Sequence, residues 1–194
     1  MITIQPGLPA GAEDTAAALY WEAFGTKLTR VMGPPDKALA FILRVLDPTH
    51  AISAVDASGD LLGVVGFKTS KSALVGGTFA DMRAIYGLPG AVWRAALISL
   101  LERDVENERF LLDGIFVAPK ARGRGVGSAL LEAVMQEAKR RGYESLRLDV
   151  INTNPRARAL YERHGFHAKG THHLTLLRPL FRFDSATTMV RDLS

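Results

Sequence analysis

The chain alternates between short apolar runs and longer stretches in which apolar residues recur every three to four positions. The short runs predict about seven β-strands, at residues 2–5, 51–56, 61–67, 110–117, 144–151, 171–177 and 187–193. The helical spacing predicts four helices, at residues 11–24, 36–46, 128–141 and 154–165. A mixed stretch, residues 25–33, joins the first two helices. Residues 68–109 form an insertion before the fourth strand, with a loop or short helix near residues 79–86 and a clearer helix over residues 89–103.

A glycine-rich turn, residues 122–127 with the sequence Arg-Gly-Arg-Gly-Val-Gly, lies between the fourth predicted strand and a long amphipathic helix. The first amides of a helix have no intrahelical partner, so an anion such as phosphate can accept hydrogen bonds from several of them. Arg122 and Arg124 would each oppose the helix dipole by about 0.3–1 kcal/mol unless an anion intervenes. The turn therefore predicts a phosphate cradle. A solvated turn with exposed arginines is the alternative interpretation.

The sequence excludes two other kinds of phosphate-binding loop. A dinucleotide fingerprint counted from Gly123 would need glycine or alanine where Ser128 stands. The Gly-Lys-Ser/Thr run of a P-loop occurs nowhere in the chain. A phosphate cradle at this turn must therefore belong to another class of phosphate-binding loop.

Composition narrows the chemistry further. With 194 residues and 47% hydrophobic content, residues 1–194 are expected to form one domain. The absence of cysteine excludes disulfides, thiolate metal ligands and a catalytic cysteine. Four histidines cluster late in the sequence without metal-ligand spacing, so no metal site is expected. They are His164, His167, His172 and His173.

The charge and the termini favour a soluble protein with an anionic ligand. The net charge is +4, but the basic residues are scattered, and a polyphosphate accounts for the charge as readily as nucleic acid does. We expect no nucleic-acid partner. The start of the chain lacks signal-peptide features, and the apolar stretch 90–101 is far shorter than the ~20 residues needed to cross a bilayer. We therefore expect a cytoplasmic protein with no membrane partner.

Two motifs together carry a family resemblance. The first is Arg122-x-x-Gly125-x-Gly127, and the second is the stretch 154–166, Asn-Pro-Arg-Ala-Arg-Ala-Leu-Tyr-Glu-Arg-His-Gly-Phe. Over residues 111–166 the chain resembles the GCN5-related N-acetyltransferase (GNAT) superfamily. The resemblance implies an α/β (α+β) three-layer fold. Its central sheet is mixed and mostly antiparallel, with about seven strands flanked by helices and a helical insertion between strands three and four.

The resemblance also implies acetyl-coenzyme A as the acyl donor. The turn would hold its pyrophosphate, through Arg122, Gly123, Arg124, Gly125, Val126, Gly127 and Ser128. The pantetheine arm would pair with the backbone of Ile115, Phe116 and Val117. Asn154 corresponds to a family asparagine that contacts the cofactor, although its position before Pro155 is equally that of a helix cap.

Two catalytic residues follow from the same resemblance. Tyr161 matches the family tyrosine that hydrogen-bonds or protonates the departing thiolate, and its alternative is a core tyrosine on an apolar helix face. Asp149 stands where some members carry a glutamate general base. Its alternative is a structural ion pair with Arg147 or Arg158.

The implied activity is transfer of an acetyl group to a primary amine, which we expect to belong to a small molecule. Acetylation of a protein N-terminus or lysine, and a non-catalytic acyl-coenzyme A sensor, are the alternatives. The insertion carries several aromatic and acidic residues that could line an acceptor pocket, namely Phe79, Asp81, Met82, Tyr86 and Trp93. Its apolar stripe also fits a helix that covers the sheet or forms a homodimer interface.

Overall fold

The computed structural model describes residues 2–69, 71–99, 109–174 and 178–193. Its strands are β1 (Thr3–Pro6), β2 (Ala51–Val55), β3 (Leu61–Lys68), β4 (Phe110–Val117), β5 (Ser145–Ile151), β6 (His167–His173) and β7 (Ser185–Asp192). Its α-helices are α1 (Glu13–Met32), α2 (Pro35–Val45), α3 (Phe79–Ser99), α4 (Val126–Arg140), α5 (Pro155–Arg163) and α6 (Arg178–Phe181).

The strands form one seven-stranded sheet in the order β1-β2-β3-β4-β5-β7-β6. Neighbouring strands are antiparallel except for β4 and β5, which run parallel. The parallel pair needs a crossover, and α4 provides it. The predicted fold class, a mostly antiparallel mixed sheet with a helical insertion between β3 and β4, is confirmed.

Helices cover both faces of the sheet. On one face α4 packs across β2, β3 and β4 with the apolar stripe that its sequence spacing predicted, Leu130, Leu131, Val134 and Met135 all being buried. On the other face α1 packs on β3 and β4, and α2 and α3 pack against α1. The result is a three-layer arrangement with apolar clusters on each side of the sheet.

Helix α1 is longer than predicted. It continues through the stretch taken as a connection and ends at Met32. Val31 and Met32 are buried against α2, α3 and α6, so tertiary packing extends the helix. Gly25 is needed inside it because the indole of Trp21 lies over this position, where an added Cβ would come within 2.9 Å of the ring.

The insertion forms α3, in which two helical segments, near the two predicted pieces, meet at a kink. Gly87 has φ of 70° and ψ of 172°, which breaks the helical path two residues before Pro89. The helix is described to Ser99, so the last residues of the predicted helix, 100–103, lie outside the described residues.

The predicted sixth strand is wrong in position. The structure places β6 at His167–His173, and residues 175–177 of the predicted strand lie outside the described residues. Every residue of β6 is exposed, and the strand pairs along β7 at one edge of the sheet. Its backbone pairing defines it, so the hydrophobic pattern could not locate it. The short helix α6 lies between β6 and β7.

Candidate active site

A cleft of about 520 Å³ opens beside the point where β4 and β5 separate. The two strands pair at Phe110 with Leu146 and at Leu111 with Arg147, and no later pair joins them within the described strands. Beyond this point Ile115, Phe116 and Val117 line the cleft. Their outer backbone edge faces away from β3 and can accept an added extended segment through main-chain hydrogen bonds.

A β-bulge in β4 shapes this edge. Gly66 of β3 pairs with Gly114 and the next residue, Phe67, pairs with Leu112, so Asp113 is the extra residue. Because of the bulge, the side chains that follow it lie on the opposite face of the sheet from the one that regular alternation would give. Leu112 packs into the cluster around α4, whereas Phe116 packs into the cluster around α1.

The glycine-rich turn forms the second wall of the cleft. Gly123 and Gly125 adopt left-handed conformations, with φ of 78° and 81°, and Gly125 is the N-cap of α4. The helix therefore begins at Val126, and the first amides of α4 lie at the cleft. Ser128 also lines the cleft, and its hydroxyl lies 3.1 Å from Nε2 of His164.

The two arginines of the turn differ in placement. Arg122 lines the cleft, and its guanidinium donates to the carbonyl of Val117 (3.1 Å) and to the carboxylate of Glu22 (2.7 Å). Arg122 thus ties the turn to β4 and α1. Arg124 is exposed and is not among the described residues that line the cleft.

Helix α5 supplies two further arginines that sequence reasoning missed. Arg156 and Arg163 line the cleft with Leu160 between them. The three residues stand four and three positions apart, which places them on one helix face, and this spacing was the available signal. With Arg122 they give the cleft three cations, and no acidic residue lies among its described lining residues.

The expected asparagine and tyrosine meet in the same cleft. The Asn154 side-chain oxygen accepts a hydrogen bond from the Ala157 amide (3.2 Å) and caps α5. The other polar atom of the Asn154 side chain is the amide nitrogen, which is a hydrogen-bond donor. Tyr161 is 7% exposed and lines the cleft, and burial raises the pKa of its phenol to about 12. The hydroxyl is therefore protonated at neutral pH and can donate a hydrogen bond.

Asp149 lies on the separated part of β5 but is not among the described residues lining the cleft. Its carboxylate accepts a hydrogen bond from the Thr188 hydroxyl (2.5 Å) and lies 3.4 Å from the Arg147 guanidinium. The structure supplies this ion pair, and the role of Asp149 as a base stays a prediction. Sequence reasoning missed Asp113, although an Asp-Gly pair inside an apolar run is a signal for a bulge.

Neither a metal cluster nor a membrane helix is found in the part of the chain that the structure describes. No group of three or more histidine, aspartate or glutamate side chains there could hold a metal ion. No helix there is long and apolar enough to cross a bilayer.

The fold and the cleft define a mixed α/β protein whose cleft carries cations and helix-start amides, groups that can accept an anionic ligand. The model of the acetyltransferase (GNAT) family matches residues 15–166, and the chain belongs to this family. The resemblance seen in the sequence is thereby confirmed.

Several known proteins are similar to parts of the chain. A streptothricin acetyltransferase from Streptomyces lavendulae is 34% identical over 90 residues, covering 46% of this chain and 47% of that protein. The chain spans less than half the length of the curated relatives it matches.

Solved structures share the fold. A GCN5-related N-acetyltransferase from Kribbella flavida has a TM-score of 0.66 at 19% identity, covering 98% of this chain and 97% of that one. A Bacillus anthracis str. Ames protein solved in complex with acetyl coenzyme A has a TM-score of 0.50 at 18% identity, covering 73% and 61%.

Proposed function

We propose that this protein is an acetyl-coenzyme A-dependent N-acetyltransferase that acts on a primary amine of a small molecule. One observation carries the proposal: the separated end of β4, the start of α4 and Tyr161 all line a single cleft. Membership of the acetyltransferase family supports the reaction type. The relative named for streptothricin supports a small-molecule acceptor.

The residues of the cleft fit the donor. The amides of Val126–Ser128 and the guanidiniums of Arg122, Arg156 and Arg163 would hold the phosphates, because together they offer fixed donors and positive charge. The backbone of residues 115–117 would pair with the amides of the pantetheine arm. When bound, the thioester supplies the acetyl group and a thiolate leaving group.

The reaction forms one C–N bond, breaks one C–S bond and carries a proton from the amine to the thiolate. An alkylammonium with a pKa of about 10.4 must first lose a proton, which costs roughly 4–5 kcal/mol at neutral pH. A carboxylate near the acceptor lowers this barrier as a general base, directly or through water. Asp113, at the bulge where the strands have separated, is our first candidate, and Asp149 is the second. Tyr161 donates its hydroxyl hydrogen toward the departing sulfur.

The test is acetyl-coenzyme A-dependent thiol release with a panel of small amines and lysine-containing peptides, run on the wild type and Tyr161→Phe. We expect a small amine to react, and Tyr161→Phe to lower kcat about 100-fold, at the low end of acid-catalysis effects. The dissociation constant of coenzyme A should stay within about twofold, since the variant keeps the ring. Preference for a peptide would establish the protein-acetylating alternative. Cofactor binding without turnover of any acceptor would indicate the sensor alternative.

A further inference from the structure

A second cavity, of about 280 Å³, lies between α1, α2 and α3. Apolar side chains dominate its lining, among them Trp21, Met32, Phe41, Met82 and Ile98. No aspartate, glutamate, lysine or arginine is among its described lining residues. An apolar cavity of roughly 150 Å³ accommodates benzene, so this one has room for a single ring and a short alkyl chain.

Tyr20 connects this cavity to the cofactor cleft. Its ring lines the cavity and meets the ring of Phe116 edge-on, with centroids 5.7 Å apart. Phe116 in turn lines the cleft. Tyr20 also packs against Phe24 at 4.7 Å, and Phe24 lies over Gly114, where an added Cβ would come within 2.7 Å of its ring. The cavity therefore ends at the bulged part of β4.

Tyr20 places one phenol in the cavity wall on the side nearest β4. Burial, and secondly the negative charge of Asp113, raise the pKa of the Tyr20 phenol. Asp113 directly precedes Gly114 in the bulge. A carboxylate and a phenol oxygen can accept hydrogen bonds from a primary ammonium, which carries three donors.

We propose that the cavity between α1, α2 and α3 is the acceptor site, and that it selects a primary amine with one uncharged, apolar body of about one ring. The amine would face the β4 bulge while the body fills the cavity. A second ammonium on the acceptor would lose its hydration among apolar side chains with no charged partner. The inference rests on the proposed function for its chemistry and on the cavity for its selectivity.

Binding can be measured without turnover because Trp21 lies in the cavity wall. The chain has 2 tryptophans, and Trp93→Phe leaves Trp21 as the sole emitter. In this background we expect 2-phenylethylamine to change the emission saturably, and spermidine to leave it unchanged. Ala95 lines the cavity, whereas its neighbour Ala96 is exposed and does not. Ala95→Phe should weaken phenylethylamine binding at least about tenfold, and the matched control Ala96→Phe by less than about twofold. Equal binding by the two variants would overturn the proposal.

Turnover provides an independent readout. In the wild type, kcat/KM for phenylethylamine should exceed that for spermidine by about 100-fold. Met82→Ala enlarges the cavity, so it should raise kcat/KM for a two-ring amine relative to phenylethylamine about fivefold. Spermidine reacting as fast as phenylethylamine would refute the acceptor assignment while leaving the acetyltransferase activity intact. The wild type could bind phenylethylamine, with weaker binding in Ala95→Phe, and yet release no thiol with any amine. That result would support the cavity as a binding site and refute the proposed acetyltransferase activity.

Discussion

Replacing Gly127 by alanine should stabilise the protein and weaken its cofactor binding, and these opposite signs test the phosphate cradle. Gly127 lies in the first turn of α4 and lines the cleft. An added Cβ would meet Leu160 Cδ2 at 3.5 Å, an ordinary contact, so the substitution causes no clash. Alanine in a helix is more favourable than glycine by about 0.5–1 kcal/mol. For a chain of this size that corresponds to a rise in Tm of about 1–4 °C.

The effect on binding has a different origin. The added methyl group would lie in the cleft wall beside Leu160, and we expect it to hold the phosphates away from at least one amide of α4. Loss of one hydrogen bond to a charged group costs about 1.5–3 kcal/mol. The dissociation constant of coenzyme A should therefore rise roughly ten- to a hundredfold.

Two measurements check this prediction: thermal unfolding of the free protein and calorimetric titration with coenzyme A. Gly125→Ala is the control for backbone effects, because its φ of 81° is left-handed and the space around it is open. It should lose about 1–2 kcal/mol of stability. If Gly127→Ala binds coenzyme A as tightly as the wild type, the start of α4 does not hold the phosphates and the cradle assignment is wrong.

Substitutions at Asn154, at the two aspartates and at Tyr161 provide three further tests. Asn154→Ala should cost about 1 kcal/mol of stability by removing the α5 cap, whereas Asn154→Ser keeps the cap. Both should weaken coenzyme A binding, and unchanged affinity in the serine variant would limit Asn154 to capping. Asp113→Asn should lower kcat/KM about 100-fold and Asp149→Asn less than tenfold, because Thr188 and Arg147 already hold Asp149. The reverse order would make Asp149 the base. The pKa of Tyr161 is raised by burial from 10 to about 12, so this phenol adds stability below pH 10 that is lost between about pH 10 and 12. Denaturant titrations should find this loss roughly 2–3 kcal/mol smaller in Tyr161→Phe.

Part of the fold could be predicted because several elements bury one regular face. Helix α4 was predicted to within two residues, since Leu130, Leu131 and Val134 recur at helical spacing and all three are fully buried. Strand β6 was misplaced because it buries no side chain and exists through its pairing with β7. The end of α1 was missed because Gly25 reads as a break unless the position of the Trp21 indole is known.

The residues of the candidate site likewise fall into two groups, those that the sequence could predict and those that needed the tertiary structure. Residues 122–128 and 154 were recognisable because local chemistry sets them: a glycine-rich turn, a helix start and a helix cap depend on neighbours in sequence. Tyr161 was recognisable only through the family resemblance. Arg156 and Arg163 needed the packing of α5 against the cleft to become ligand candidates. The pairing of Arg122 with Glu22 joins residues 100 positions apart and had no local signal.

The sequence by itself determined the class of protein and indicated the residues that we propose for the donor side, because strand, glycine-rich turn and helix are contiguous and their geometry follows from short-range rules. Tertiary structure alone decided the apolar cavity that we propose as the acceptor site. The bulge at Asp113 turns Phe116 toward α1, and the insertion helix closes an apolar cavity against Tyr20. A cavity is formed by surfaces from distant parts of the chain, and its shape depends on strand register and helix packing that no local pattern encodes.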